Sequence, residues 1–198
     1  PSGPWQVMFF VCVADGALGL VDYLDPDAVR KFIGLTYQKY YDKFPQHFGR
    51  TIDSAFYDEP TFHWLQGGRA WTPSLNARFQ QRYGRHPALL YPALWLDIGP
   101  ETAAARNALF GLRAEMFSTG FVKTINDWCR EHKIELTGHV DQEEVVNPVG
   151  LCGDLMKAFQ HQAIPGIDQI FQYGRASKAY KVVSSAATNY GQPLVMCE

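Results

Sequence analysis

Several features that define common protein classes are missing from this sequence. The four cysteines are Cys12, Cys129, Cys152 and Cys197. They lie far apart and none belongs to a C-x-x-C pair, so a zinc knuckle or redox motif is not expected. They are interpreted as small buried hydrophobic residues. No apolar run reaches the roughly 18 residues of a membrane span, so no membrane association is expected. Without a basic patch, and with a net charge of -2, nucleic acid is not expected as a partner.

Motifs for nucleotide and acyl chemistry are absent as well. The chain has no GxGxxG or GxxxxGK[ST] phosphate loop and no GxSxG nucleophile elbow. What the chain does contain is 198 residues, 46% of them hydrophobic and 14% aromatic. That length and composition predict one domain with a sizeable core.

Predicted strands alternate with predicted helices along the chain. The strands are short apolar runs bounded by turn residues: Trp5–Val13, Ile52–Tyr57, Ile134–Val140, Gly166–Tyr173 and Pro193–Cys197. The helices are predicted from helical spacing of apolar residues and from residues that begin or end helices, such as Asp25 before the first helix and Gly84 at the end of the second. The predicted helices are 26–44, 72–84, a turn or two in 88–96, 100–132, 153–161 and 177–190. Gly111 and Gly120 are expected to bend the long helix.

This alternation predicts an α/β fold with parallel strands and right-handed crossovers. Five such units fit either an open doubly wound sheet or the middle of a (β/α)8 barrel, which typically needs roughly 250 residues. The chain begins directly before a predicted strand and stops directly after one, which favours the second architecture. Residues 1–198 are therefore interpreted as a single-domain fragment of a longer barrel protein.

In both architectures the functional groups follow the carboxyl ends of the strands. Those positions are rich in carboxylates and aromatic residues and poor in lysine: Asp15, Gly16, Asp58, Glu59, Pro60, His63, Trp64, His139, Asp141, Gln142, Glu143, Glu144, Gln172, Tyr173, Arg175 and Glu198. Two carboxyl groups flanked by aromatic platforms are what hydrolysis of a glycosidic bond requires. The sequence thus indicates a glycoside hydrolase.

The predicted acid–base pair is Glu59 and Glu198, which follow two strands with two further strands between them. Glu59 lies among the aromatic residues Phe56, Tyr57, Phe62 and Trp64. Burial of the Glu59 carboxyl by these residues is expected to raise its pKa and to suit it to the acid role. Seven of the other strand-end residues are predicted sugar contacts: Asp58, His63, Trp64, His139, Asp141, Gln142 and Tyr173. Other interpretations stay open. Asp58 could cap a turn, and His139 could be a core histidine or a metal ligand. Glu143 and Glu144 could be a solvated pair or the start of a helix.

Five stretches resemble the catalytic barrel of bacterial glycoside hydrolases of the α-L-rhamnosidase type, family 106 and its relatives. These are "DSAFYDEP", "TGHVDQEE", "PLVMCE", "VDYLDPDAVRKFI" and "NDWCREHKIELTGH". In the wider clan of (β/α)8 glycosidases, a glutamate follows strand four and another follows strand seven. The resemblance then implies a partial (β/α)8 TIM barrel containing about strands 3 to 7, with Glu59 and Glu198 as those two glutamates, and a catalytic-domain fragment over residues 1–198.

The resemblance also bears on mechanism and cofactors. Retaining members of that clan carry Asn-Glu before a proline, whereas this chain has Asp58, Glu59 and Pro60. Rhamnosidases of the resembling family invert, so Glu59 is assigned as acid and Glu198 as base of an inverting reaction. No cofactor is expected from the residues, although the resemblance implies calcium. The expected partners are a carbohydrate substrate and the remainder of the parent barrel, and a periplasmic or extracellular location would suit the full-length parent.

Two other functions fit the same residues. A metal-dependent hydrolase would use Asp58, His63, His139 and Asp141 as ligands for zinc or manganese. A non-catalytic carbohydrate-binding barrel would keep the aromatic residues but not a working carboxyl pair. A barrel without three of its strands would expose sheet edges and apolar helix faces, so low solubility or partner-dependent folding is expected.

Overall fold

The computed structural model of the chain describes residues 3–13, 21–62, 69–143, 148–169 and 178–198. Within them, four short strands form one parallel sheet in the order β1-β2-β3-β4. The strands are β1 Ser54–Tyr57, β2 Glu135–Gly138, β3 Ile164–Ile167 and β4 Met196–Cys197. Parallel pairing confirms the α/β class, and a four-stranded parallel sheet is compatible with part of an α/β barrel.

Helices fill the connections between these strands. They are α1 Pro26–Leu35, α2 Tyr37–Lys43, α3 Leu75–Tyr83, α4 Thr102–Phe117, α5 Thr124–Glu131, α6 Leu155–Gln160 and α7 Lys178–Tyr190. Shorter 3₁₀ segments occupy Pro45–His47, Pro87–Leu94 and Pro148–Gly150. None of the helices in the described part of the chain is long and apolar enough to cross a membrane.

The predicted helix boundaries rest on caps that the structure contains. The Asp25 carboxylate accepts a hydrogen bond from the amide of Asp27 at 3.0 Å, and Pro26 occupies the first turn of α1. Gly84 ends α3 in the left-handed conformation with φ 72°, which glycine adopts without steric cost. Helix caps of this kind can be predicted from sequence because they involve only residues a few positions apart.

The long helix predicted over 100–132 is continuous but contains a π-helical segment, Ser118–Lys123, between α4 and α5. Gly120 lies in this segment, and a Cβ there would stand 3.1 Å from the carbonyl oxygen of Leu24. The missing side chain at Gly120 therefore lets the chain before α1 approach the helix closely. Of the two glycines expected to bend the long helix, Gly120 lies in the π-helical segment, whereas Gly111 lies inside regular α4.

An aromatic cluster anchors the carboxyl end of β1 to this helix. The rings of Phe117 and Phe121 stack with centroids 5.7 Å apart, and Tyr57 meets Phe121 edge-on at 5.4 Å. Tyr23 also packs edge-on against Phe121, with ring centroids 5.0 Å apart. Because Tyr57 is fixed in the core, the residues directly after it are held at the edge of the sheet.

The prediction of a buried strand at Trp5–Val13 is wrong. Residues 5–13 form no strand, and the side chains of Phe9 and Val11 are 88% and 79% exposed. An apolar run becomes a strand only when neighbouring strands offer hydrogen-bonding edges, and none of the described residues pairs with this one. The interpretation of all four cysteines as buried is likewise wrong for Cys12 and Cys197, which are exposed.

Strand bounds differ from the predictions mainly at β3. The apolar pattern placed this strand at Gly166–Tyr173, but it spans Ile164–Ile167, so it ends six residues earlier. The difference matters because it moves the carboxyl end of the strand from Tyr173 to Asp168. The other strands lie inside their predicted ranges.

Candidate active site

Parallel pairing brings the residues that follow the strands to one edge of the sheet. In the register, Tyr57 of β1 pairs with Gly138 of β2, which pairs in turn with Pro165 of β3. Ile167 pairs with Cys197 of β4. The residues just beyond these pairs are Asp58, Glu59, His139, Asp168 and Glu198, and they form the candidate site.

Gly138 allows β1 and β2 to approach closely enough for this arrangement. Its φ is 134°, and a Cβ at this position would lie 2.2 Å from the carbonyl oxygen of Tyr57. Glycine is therefore the residue that avoids a backbone clash here. The amide of the next residue, His139, donates a hydrogen bond to that same carbonyl at 3.2 Å.

His139 is the centre of the site and is only 1% exposed. Its Nε2 lies 2.9 Å from Oε2 of Glu198 and 3.2 Å from Oδ1 of Asp58. Its Nδ1 lies 3.3 Å from the carbonyl oxygen of Val140 and 3.4 Å from Oε1 of Glu143. Asp58 and Glu198 are exposed, so the buried imidazole presents two carboxylates to solvent.

The pKa of His139 is raised to about 9. Burial is the largest influence and acts to lower this pKa, but the contact with Glu143 and the charge of Glu143 outweigh it, with the Val140 carbonyl and Glu198 adding to the increase. At neutral pH the imidazole is thus held in its charged form. Both ring nitrogens then donate toward oxygen atoms.

Glu59 stands in a conformation that few non-glycine residues adopt, with φ 42°. Such strain persists only where the surrounding structure enforces it, and it is concentrated at functional sites. Partial removal from water raises the pKa of the Glu59 carboxyl, and the Asp141 carboxylate raises it further while His139 acts in the opposite direction. The direction is that expected from the sequence, although the side chain itself is exposed.

Two donor sets are compact enough to hold a metal ion. One is Asp58, His139 and Glu198, and the other is Glu59, His139 and Asp168, with the donor atoms of each set within 4.8 Å of one another. Calcium, which the sequence resemblance implied, takes about six to eight oxygen ligands. Each set offers two carboxylates and one imidazole, which is fewer oxygen ligands than calcium requires, so these sets do not match calcium.

The structure brings together most of the predicted site residues that it describes. Asp58, Glu59, His139 and Glu198 converge, and Asp141 is buried close enough to Glu59 to act on its pKa. Gln142 follows in the left-handed region with φ 56°. The predicted contacts His63, Trp64 and Tyr173 lie outside the described residues.

Two residues of the site were missed or misread from the sequence. Asp168 was hidden inside a strand predicted to end at Tyr173, and the charged residue interrupting "GIDQIF" is the signal that could have placed the strand end. Glu143 was interpreted as solvated or as a helix start, but it is 1% exposed and faces His139. Glu144 lies outside the described residues.

Comparison with known proteins gives a structural likeness only. No protein-family model and no curated protein matches the chain. The fold is similar to that of a rhamnosidase from Novosphingobium sp. PP1Y, with a TM-score of 0.69 and 21% sequence identity. The match covers 89% of this chain and 17% of that chain, so the chain spans about a sixth of the rhamnosidase's length. At this identity the likeness supports a rhamnosidase-like fold.

Proposed function

We propose that the chain is part of the catalytic domain of a glycoside hydrolase that cleaves an O-glycosidic bond, with a rhamnoside as its substrate. The observation that carries the proposal is the convergence of Asp58, Glu59, Asp168 and Glu198 around buried His139. Several carboxyl groups in different environments at one sheet edge are what this reaction class uses. The rhamnosidase-like fold is consistent with it.

In the proposed mechanism Glu59 is the general acid. Its raised pKa keeps a proton on the carboxyl at higher pH than an ordinary glutamate would, and that proton goes to the departing glycosidic oxygen as the bond to the anomeric carbon breaks. The activity should therefore decline as the pH rises through the pKa of Glu59.

Glu198 is the proposed general base. Its carboxylate takes a proton from a water molecule whose oxygen forms the new bond to the anomeric carbon on the opposite face. Each turnover leaves Glu59 deprotonated and Glu198 protonated, and exchange with solvent restores both. The 2.9 Å contact with Nε2 of His139 orients the Glu198 carboxylate.

The remaining polar residues are proposed to bind the sugar hydroxyl groups. Asp58 is exposed beside the acid, while Asp141 and Gln142 form the turn after β2. His63, Trp64 and Tyr173 are proposed as further contacts because aromatic faces bury the apolar side of a sugar ring. The remainder of the barrel is proposed to come from sequence beyond this chain, since the match covers 17% of the rhamnosidase.

The test is hydrolysis of an aryl α-L-rhamnoside by the longest native protein that contains this chain. Glu59→Gln and Glu198→Gln should each lower kcat by roughly 10²–10⁴-fold, the usual contribution of general acid–base catalysis. Glu135→Gln is the matched control, because Glu135 is an exposed glutamate at the opposite end of β2. Undiminished turnover in both site variants would reject the assignment.

A metal-dependent hydrolase is the second candidate, favoured by the two donor sets within 4.8 Å. Imidazole and carboxylate ligands suit zinc or manganese. Elemental analysis of the purified protein separates the two functions: stoichiometric zinc or manganese, with activity lost to a chelator and restored by the metal, supports this candidate. Full activity without bound metal supports the first.

A further inference from the structure

Glu143 is a buried carboxyl group for which the proposed acid, base and sugar contacts give no role. It is 1% exposed, and burial raises its pKa, partly offset by His139 and by the backbone amides of Glu143 itself and Asp168. A buried carboxylate is costly unless a positive group or several donors face it. The group that faces Glu143 is the ring of His139.

The geometry fixes which atom of His139 carries a proton toward Glu143. Nδ1 lies 3.3 Å from the carbonyl oxygen of Val140, which can only accept a hydrogen bond. Nδ1 therefore carries its hydrogen, and the same edge of the ring faces Oε1 of Glu143 at 3.4 Å. This separation is long for a hydrogen bond, and Oε1 has no well-formed hydrogen-bond partner among the described residues, so the contact is mainly electrostatic.

The opposite edge of the ring reaches the proposed base. With the hydrogen of Nδ1 assigned, Nε2 is aimed at Oε2 of Glu198 at 2.9 Å and at Oδ1 of Asp58 at 3.2 Å. A rotation of the imidazole would break both contacts. Packing restrains such rotation on one side, where the Phe56 ring lies 5.8 Å from the imidazole.

We propose that Glu143 is a positioning residue that acts through His139: its buried carboxylate holds the imidazole so that Nε2 orients Glu198 to take a proton from water. The inference rests on the proposed function, since Glu198 is the base in that mechanism. A buried carboxylate behind a histidine sets its tautomer and orientation in many enzyme and metal sites. Glu143 touches no substrate in this arrangement.

The experiment compares Glu143→Gln, which keeps the shape and an acceptor oxygen but removes the charge, with Glu143→Met, which removes the acceptor. Loss of a supporting partner typically costs roughly 10–100-fold, so kcat for the aryl rhamnoside should fall by that factor while KM changes little. The loss should be larger for Met than for Gln. Glu135→Gln again serves as the control.

A second readout does not depend on catalysis. In protein labelled with ¹⁵N-histidine, the chemical shifts of both ring nitrogens of His139 should change in Glu143→Gln, and those of His47 and His86 should not. If the Met variant does not fold, the Gln variant decides the question. Unchanged His139 shifts, or a lower melting temperature with unchanged kcat, would overturn the positioning role.

The two readouts also separate this inference from the proposed function. If Glu59→Gln and Glu198→Gln remain fully active, the glycosidase mechanism fails whatever the Glu143 variants do. If those two variants are inactive while Glu143→Gln changes neither kcat nor the His139 shifts, the mechanism stands and the positioning role is rejected.

Discussion

Oε2 of Glu198 lies 2.9 Å from Nε2 of His139, although 59 positions separate the two residues in the chain. Two β-α connections lie between them, and the contact forms because both residues follow parallel strands of one sheet. It joins an exposed carboxylate to a buried imidazole backed by Glu143. Glu143, His139 and Glu198 thus form a chain of contacts that ends at the proposed base, Glu198.

The stereochemistry of the reaction tests the roles given to Glu59 and Glu198. We expect inversion at the anomeric carbon, because Glu198 is proposed to activate water rather than to attack the sugar. Proton NMR of the first-formed product from an aryl α-L-rhamnoside should show the β anomer before mutarotation. Initial formation of the α anomer would instead indicate a covalent intermediate and would reject the base role.

The stability of the protein should depend on pH through His139. Its pKa is raised to about 9 in the folded chain, against roughly 6.5 for an unperturbed histidine. The folded state binds this proton more tightly, so the stabilisation is complete below about pH 6.5 and is lost as the pH rises through about 9.

The measurement is the free energy of unfolding in urea for the wild type and for His139→Gln, at about pH 6 and above pH 9. The difference between the two proteins should shrink as the pH rises. Titrating groups that do not interact with His139 contribute equally to both proteins and cancel in that difference. A difference that is constant, or that grows with pH, would contradict the assigned direction.

Two glycine-to-alanine changes should have opposite effects on stability. Gly138→Ala places a Cβ 2.2 Å from the Tyr57 carbonyl oxygen, and we expect it to cost roughly 3 kcal/mol or more and to disturb the site. Gly111→Ala lies in the interior of α4 with no atom within 4 Å of the new Cβ. It should stabilise by about 0.5–1 kcal/mol. The check is thermal unfolding of both variants. Equal losses of stability in the two variants would contradict the prediction.

The exposed apolar segment at residues 3–13 should drive self-association of the chain. Phe9 and Val11 extend into solvent, and contiguous apolar surface of this kind promotes aggregation. The double variant Phe9→Glu, Val11→Lys leaves the net charge unchanged and should increase the monomeric fraction in sedimentation velocity without altering the melting temperature.

A change at Phe10 is the contrasting case for this segment. Its ring lies 5.5 Å from those of Tyr91 and Trp95, so Phe10→Ser should lower stability. If the wild-type chain is monomeric at high concentration, the exposed segment does not drive association.

Sequence and structure agree best where local interactions decide the outcome. The Asp25 cap and the Gly84 terminator each depend on residues near one another or on the left-handed conformation that glycine adopts. The same holds for the carboxyl ends of β1 and β4, where apolar runs stop at polar residues, whereas β2 ends at Gly138, two residues before the predicted Val140. The polar residues that follow the strands therefore identify Asp58, Glu59, His139 and Glu198 as site candidates from the sequence alone.

Long-range packing decided what the sequence could not. Whether Trp5–Val13 forms a strand depends on whether another strand pairs with it. Whether Glu143 is solvated depends on where the turn after β2 places its side chain. The local sequence pattern predicts neither. By itself, the sequence determined the alternating α/β order and the carboxylate-rich strand ends, because side-chain periodicity and caps act over a few residues. Only the tertiary structure decided that His139 would sit buried between Glu143 and Glu198, because that placement depends on strand register and on the close approach that Gly138 permits.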